Sequence, residues 1–342
     1  MPKEIKCLVW DLDDTMWLGT LLEDDRVALR PDIKRVVTEL DRRGILQSIS
    51  SKNYEEDAMS MLHSYELGEY FLYPQISFNP KSAAIGIIAE KLNIGFDSIA
   101  FVDDREYERA EVHAAHPEVM LIDAADYASI LDMREFNPEF VTEDSVRRRA
   151  MYLEDDIRQS EEREFEGTNE EFLKTLGMEL TISKVRHGDL ERVSELTKRT
   201  NQLNSTGLTY DFDELSALID SEDHVFLIAE LTDKFGSYGK IGLALLEKGA
   251  ETLDIRLMLM SCRVMNRGIG SAMLIHMTHL AGELGLDLCA DFQHTDRNRV
   301  MYITYKFMGF EDTDEDAEVT NLRYSGAARE FPDYLKVIVE NS

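Results

Sequence analysis

Several features that would send a chain outside a reducing cell interior, or into a membrane, are scarce in this sequence. Three cysteines in 342 residues, Cys7, Cys262 and Cys289, give no disulfide framework, which suits a reducing compartment. No apolar run approaches the ~18 residues of a membrane span. The opening MPKEIKCLVWD carries only a short apolar stretch that ends in acid, so no signal peptide is expected and a cytoplasmic location is. Positive charge is in short supply: 37 Lys and Arg stand against 67 Asp and Glu, a formal charge of −30. Such a chain is expected to bind neither nucleic acid nor anionic membranes. An anionic ligand would need a metal ion or a local basic patch. The eight histidines show no metal-ligand spacing, and there is no internal repeat or low-complexity tract.

What is present fits two domains, since the chain is too long for one ordinary core. In the first part, strand patterns at 5–10, 45–50, 98–104 and 117–123 alternate with helical patterns at 30–44, 54–67, 82–92 and 125–132. That alternation predicts a doubly wound α/β domain over 1–140. Residues 141–176 are charge-dense and read as a helical connecting segment. A second domain over 177–342 begins with strand 179–184 and helices near 188–200 and 211–219. Strands 224–232, 239–248 and 251–262 follow, then a helix opening at Gly268, strand 286–292, a helix at 296–307 and a last strand near 319–324. An antiparallel meander followed by helix, strand and helix is α+β.

The stretch VWDLDDTMW sets Asp11, Asp13 and Asp14 directly after an apolar strand. Close-set carboxylates repel one another and resist desolvation, so a cation or a solvated turn must account for them. Ser51 ends the second strand, Lys81 follows in NPKS, and Asp103 and Asp104 end the strand IAFVDD. In a doubly wound sheet these strand ends converge on one crevice. Carboxylates there suit Mg²⁺, while a lysine and a hydroxyl suit phosphate oxygens. Asp11 can attack phosphorus, Asp13 can move the leaving-group proton, and Mg²⁺ would offset the crowded charge. About 40 residues separate Asp11 from Ser51, which leaves no room for a large cap domain.

In these motifs the first domain resembles the haloacid dehalogenase (HAD) superfamily of phosphotransferases. The resemblance implies Asp11 as nucleophile, Asp13 as general acid/base, and Ser51 and Lys81 on the phosphate. It implies Mg²⁺ held by Asp11, the Asp13 carbonyl and the pair Asp103–Asp104, with the acid that touches the metal left open. Ser50, next to Ser51, is the alternative hydroxyl.

In the second domain, RVMNRGIGSAML follows the strand IRLMLMSC, and NRVMYITYKFMGF comes later. Backbone N–H groups at a helix opened by glycines make an anion site. Together these stretches look like the GNAT acyltransferase fold. That likeness implies that Arg267, Gly268 and Gly270 cradle a pyrophosphate or carrier arm, that Asn298 and Tyr305 belong to the same site, and that the preceding strand pairs with pantetheine. Met265 stands where the family usually has Gln or Arg, which weakens the case for coenzyme A and favours a carrier-borne arm. Cys262, read at the end of that strand, is a candidate thiolate nucleophile with Arg263 and Arg267 as its cations. Asn201, Gln202, Asn204 and Thr206 could bind a polyol or an amide-bearing arm, or could equally serve as helix caps and an Asx turn.

A HAD domain joined to a GNAT-like domain is similar to the FkbH-like proteins of polyketide biosynthesis. That resemblance implies a small phosphorylated three-carbon substrate, 1,3-bisphosphoglycerate, whose glyceryl group passes through a Cys262 thioester to the phosphopantetheine thiol of an acyl carrier protein. Ser51, Lys81, Asn201 and Arg263 would hold substrate and phosphate. Arg263, Arg267, Arg297, Arg299 and Lys306 would offer an acidic carrier a basic patch. The alternative is a phosphatase with a separate coenzyme A-dependent acyltransferase domain.

Overall fold

The computed structural model describes residues 4–24, 26–200, 203–295, 298–313 and 319–340. The chain divides into two compact units, Met1–Leu153 and Glu154–Ser342. The division falls inside the charge-dense helix Arg148–Glu164. Among the described residues no helix is long and apolar enough to cross a membrane.

Five strands build the main sheet of the first unit: β1 (Cys7–Trp10), β2 (Leu46–Ser51), β3 (Gln75–Ile76), β4 (Ile99–Asp103) and β5 (Met120–Asp123). All pair in parallel, in the order β3-β2-β1-β4-β5. β1 is central, with Cys7 opposite both Leu46 and Ile99. Its four residues are fully buried because helices cover both faces. Side chains alternate across a strand, so Leu8 and Trp10 join Val36, Val37 and Leu40 of helix α1 (Ile33–Arg42). Cys7 and Val9 face the other way, against Ile85, Ile88 and Leu92 of helix α3 (Lys81–Leu92) and Val112 of helix α4 (Glu106–Ala115). Each such aliphatic side chain contributes about 1.5–3 kcal/mol through burial. Helix α2 (Glu55–Ser64) follows β2. Among the described residues, the elements between β1 and β2 are a two-stranded hairpin, Trp17–Leu18 with Ala28–Leu29, and α1.

The strand order reverses direction of growth between β1 and β4. There the connections leave on opposite faces and open a crevice beyond the carboxyl ends of the strands. Asp11 follows β1 and Asp103 ends β4, so both stand at that point.

The second unit contains helix α5 (Arg148–Glu164) from Glu154 onward and helix α6 (Asn169–Leu176), followed by an eight-stranded mixed sheet. Its strands are β6 (Met178–Lys184), β7 (His224–Asp233), β8 (Gly236–Lys248), β9 (Thr252–Met260), β10 (Asp287–Phe292), β11 (Phe310–Asp312), β12 (Thr320–Tyr324) and β13 (Leu335–Glu340). The order is β11-β12-β10-β9-β8-β7-β6-β13. Helices α7 (Leu190–Arg199) and α8 (Phe212–Ile219) pack on one face, with Val193, Leu196 and Leu215 against Phe226, Leu243 and Leu257. Helices α9 (Ile269–Leu284) and α10 (Arg299–Met308) belong to the larger core on the other face.

Two expectations need correction, and one further strand was not expected. The strand near 319–324 is not the last, because β13 pairs in parallel with β6, Leu335 opposite Met178. Its partner lies more than 150 positions earlier, a pairing that no local pattern reveals. The short strand β11 likewise pairs with β12. Finally, β9 stops at Met260, and Cys262 begins a 3₁₀ turn, Cys262–Val264, past the strand end.

Candidate active site

The turn after β1 starts the first site. Asp14 takes a left-handed backbone, φ 48°, and its carboxylate accepts the Gly19 N–H at 3.0 Å. Asp tolerates that conformation because its short polar side chain bonds locally. The turn leaves Asp11 facing Thr15, whose hydroxyl donates to Asp11 Oδ2 at 3.3 Å and accepts the Asp104 N–H at 3.2 Å. Thr15 thereby ties the β1 turn to the end of β4. Pro80 opens α3, so Lys81, the first helical residue, is delivered into the crevice. Its ammonium lies 2.7 Å from Asp11 Oδ1 and also contacts Asp103.

Asp11, Asp103 and Asp104 bring carboxylate oxygens within 4.8 Å of one another. Burial, opposed by Lys81, pushes the Asp11 carboxyl up to about 6. Burial likewise raises the Asp103 and Asp104 carboxyls above the ordinary range. Lys81 shifts upward because the attraction of Asp11 and Asp103 outweighs its own desolvation. One ammonium therefore does not neutralise three crowded carboxylates. An all-oxygen donor set short of positive charge fits a hard divalent cation such as Mg²⁺. Both acids of the pair belong to this cluster.

Asp13 points elsewhere. Its Oδ1 accepts from Trp17 Nε1 at 2.8 Å and from the Leu21 N–H at 3.0 Å, and Oδ2 accepts from Asn53 Nδ2 at 3.0 Å. The same Asn53 amide donates to Ser51 Oγ at 3.3 Å. Ser51 is thus the hydroxyl tied to Asp13. Asn53 itself is buried, and its Oδ1 has no hydrogen-bond partner.

Sequence reasoning placed Thr15 in the first motif without a role and passed over Trp17, Asn53, Lys52 and Glu108. The first two stand inside DLDDTMW, and Lys52 and Asn53 directly follow Ser51, so adjacency to a motif was the only available signal. Glu108 carried none. Its buried carboxylate accepts Lys52 Nζ at 2.7 Å and the Tyr107 hydroxyl on one oxygen.

In the second unit, β9 and β10 pair only from Thr252 to Ile255 and then separate. The resemblance implied an extended pantetheine arm along the freed edge. The chain itself takes that edge. Ser205 N–H donates to the Met258 carbonyl at 2.9 Å, and Met260 N–H to the Leu203 carbonyl at 2.8 Å. Ser205 Oγ accepts the Met258 N–H, and the Ser205 carbonyl accepts the Gln293 N–H from the β10 side, both at 2.9 Å. An arm pairing with Met258–Met260 would have to displace residues 203–205.

The other expected residues are distributed as follows. Gly268 precedes α9 with φ 77°, and Gly270 lies where a Cβ would meet Met260 at 2.7 Å. Arg267 is buried, pairs with Glu162 at 3.0 Å and lies over the Phe172 ring. Arg263 donates to the Tyr238 carbonyl at 3.0 Å. Lys306 pairs with Asp312 at 3.4 Å, whereas Arg299 is exposed. The expected basic patch is therefore partly turned inward. Asn298 uses its amide to join loops: Nδ2 donates to the Asn204 and Gln293 carbonyls at 3.0 and 2.8 Å, and Oδ1 accepts the Thr295 N–H. Asn204 Oδ1 accepts the Thr206 and Gly207 N–H groups, an Asx turn, which is the capping alternative for that residue. Tyr305 is fully buried among Phe292 and Phe310, close to Ser205, and its hydroxyl lacks a hydrogen-bond partner. Cys262 is half-buried. Asn201, Gln202 and Arg297 lie outside the described residues.

No family model and no curated protein matches the chain. Among solved structures it is similar to the N-terminal part of a Bacteroides fragilis protein that contains a phosphatase domain complexed with Mg. That likeness has 30% identity over 40% of this chain and 40% of that one, with a TM-score of 0.34. The chain thus spans less than half the length of that relative. It is also similar to the ribosomal-protein-S18-alanine N-acetyltransferase from Escherichia coli, at 14% identity over 44% of this chain and 98% of that one, TM-score 0.34. The PaiA N-acetyltransferase from Thermoplasma acidophilum in complex with coenzyme A is similar at 18% identity, over 42% of this chain and 98% of that one, again with a TM-score of 0.34.

Proposed function

We propose that the first unit is an Mg²⁺-dependent phosphatase of the HAD type and that the second is an acyltransferase. In our reading the two act on 1,3-bisphosphoglycerate and deliver glyceryl to the phosphopantetheine thiol of an acyl carrier protein. The observation that supports this most is the cluster of Asp11, Asp103 and Asp104 with Lys81 at the switch point of the sheet.

Asp11, Asp103 and Asp104 would hold Mg²⁺, which when bound would supply charge for a phosphoryl group entering the crevice. Asp11 Oδ attacks phosphorus and the P–O ester bond breaks. Asp13, held by Trp17, Leu21 and Asn53, gives the leaving oxygen its proton; it then takes a proton from a water that attacks the phosphorus of the aspartyl phosphate, breaking the Asp11 Oδ–P bond and releasing phosphate. The acyl-phosphate end of the substrate needs no hydrolysis. The Cys262 thiolate adds to C1, the C–O bond to phosphate breaks, and the resulting thioester exchanges with the carrier thiol. Arg267 is committed to Glu162, so activation of Cys262 does not rest on it.

Intact-protein mass spectra after incubation with Mg²⁺ and freshly generated 1,3-bisphosphoglycerate test the reading. A glyceryl-sized adduct on the wild type and none on Cys262→Ala is expected. Phosphate release with no adduct on either protein would refute the relay and leave the phosphatase standing.

A further inference from the structure

One titratable group at the first site has no part in the phosphoryl chemistry. Lys52 directly follows Ser51 at the carboxyl end of β2, and its side chain is about one-third exposed, at 35%. Glu108, from α4, anchors it at 2.7 Å through a carboxylate only 3% exposed. The Tyr107 hydroxyl donates to the same oxygen, and Lys52 lies 5.8 Å from the centre of the Tyr107 ring. α4 begins two residues after Asp104, so this arrangement borders the acidic cluster. Lys52 and Lys81 lie close enough to repel each other, and Arg105 is near enough to feel both Asp104 and Asp11.

A chain with 37 cations against 67 anions has thus gathered three of its cations around one crevice. Only Lys81 is used by the reacting carboxylates. Burying a carboxylate carries a desolvation penalty that its ion pair can fail to offset, so stability alone does not account for keeping Glu108 desolvated beside a second lysine. A second observation points to a polar ligand. Asn53, next in the chain and 2% exposed, holds Oδ1 without a hydrogen-bond partner. Such an acceptor is met by a donor from a water or from a ligand in the crevice.

We infer that Lys52, positioned by Glu108 and Tyr107, is a second anion handle of this crevice. Its substrate class is then small phosphate esters that carry another anionic group a few atoms from the phosphate. The inference rests on the phosphatase reading and adds the feature that selects the substrate. Lys52 binds the distal anion, while Glu108 and Tyr107 act as positioning residues.

Inhibition of p-nitrophenyl phosphate hydrolysis, with Mg²⁺ present, separates the two ideas. The competitors are 3-phosphoglycerate and glycerol 3-phosphate, which share a phosphate and three carbons but differ in the carboxylate. The wild type should bind 3-phosphoglycerate about tenfold tighter, the scale of one charge-assisted hydrogen bond. Lys52→Gln should bring the ratio of inhibition constants close to one, and Lys52→Arg should restore most of it. Glu108→Gln should reduce the ratio with Lys52 still in place. A wild-type ratio near one, or a ratio that survives Lys52→Gln, overturns the handle. Equal weakening of both competitors in Glu108→Gln would make its role merely structural and overturn its positioning part. Absence of wild-type hydrolysis would overturn the phosphatase reading instead.

Discussion

Replacing Arg158 with alanine should unfold the second unit far more readily than its place in a charge-dense helix suggests. The guanidinium is 1% exposed and meets the fully buried Asp233 carboxylate through two hydrogen bonds of 2.7 and 2.9 Å. It also lies 3.9 Å from the centre of the Tyr238 ring. Asp233 keeps three other donors, the Tyr238 hydroxyl and the Phe235 and Gly236 N–H groups. Removing Arg158 therefore leaves a buried anion that is hydrogen-bonded but has lost its countercharge. Breaking a buried pair from one side costs about 3–5 kcal/mol, and the remaining donors argue for the lower end. For a unit of this size, a loss of ~3 kcal/mol lowers Tm by about 6–12 °C. The pH dependence has a definite sign. Burial would raise the Asp233 carboxyl, but the bonds from Arg158 and its neighbours hold it below the ordinary carboxylate range. In the wild type its contribution is complete above the unfolded pKa and is lost as pH falls through the depressed folded value. Without Arg158 the same carboxyl rises above the ordinary range, so the variant is penalised most at pH 7 and recovers as pH falls through the raised value. Calorimetric unfolding of both proteins at pH 7 and pH 5 should show the gap narrowing at pH 5. A gap under 1 kcal/mol, or one equal at both pH values, would refute the reasoning.

Three further outcomes follow from the sites. Asp11→Asn should abolish phosphate release, by at least ~10³-fold, and should also remove the thermal stabilisation that Mg²⁺ gives the wild type, as differential scanning fluorimetry would read. Asn53→Ala frees both Asp13 and Ser51 and should lower kcat by about tenfold with little change in Tm, measured on p-nitrophenyl phosphate; an unchanged kcat would remove Asn53 from the site. Gly268→Ala forces a left-handed residue and places its Cβ 2.3 Å from the Tyr334 hydroxyl, a cost of about 1–3 kcal/mol in urea unfolding. Tyr334→Phe in the same chain should recover the steric part and leave the backbone part.

Much of the first site is legible along the chain because each of its reacting groups ends a strand or opens a helix. Asp11 follows CLVW, Ser51 ends LQSISS, Lys81 follows Pro80, and Asp103 ends IAFVD. In a parallel sheet such ends must lie on one edge, so order along the sequence becomes proximity. The second site reads less well. RGIG does open a helix, yet the likeness to a pantetheine-binding strand missed that residues 203–205 take the edge of β9. Arg263 and Arg267 look like free cations in sequence but bond inward, because a local string cannot show which carbonyl or carboxylate will face a side chain.

The sequence by itself determined the alternation of strand and helix, the absence of a large cap and the line of carboxylates and lysine that shapes the first crevice. These depend on periodicity and on neighbours a few residues apart, which the chain carries locally. Only the tertiary structure decided that Asn53 joins Ser51 to Asp13, that Glu108 holds Lys52 beside the crevice, and that β13 pairs with β6. Three of those contacts, Asp13–Asn53, Lys52–Glu108 and Leu335–Met178, link groups 40, 56 and 157 positions apart. Their partners are chosen by packing and by the need to satisfy buried polar groups, which only the folded chain defines.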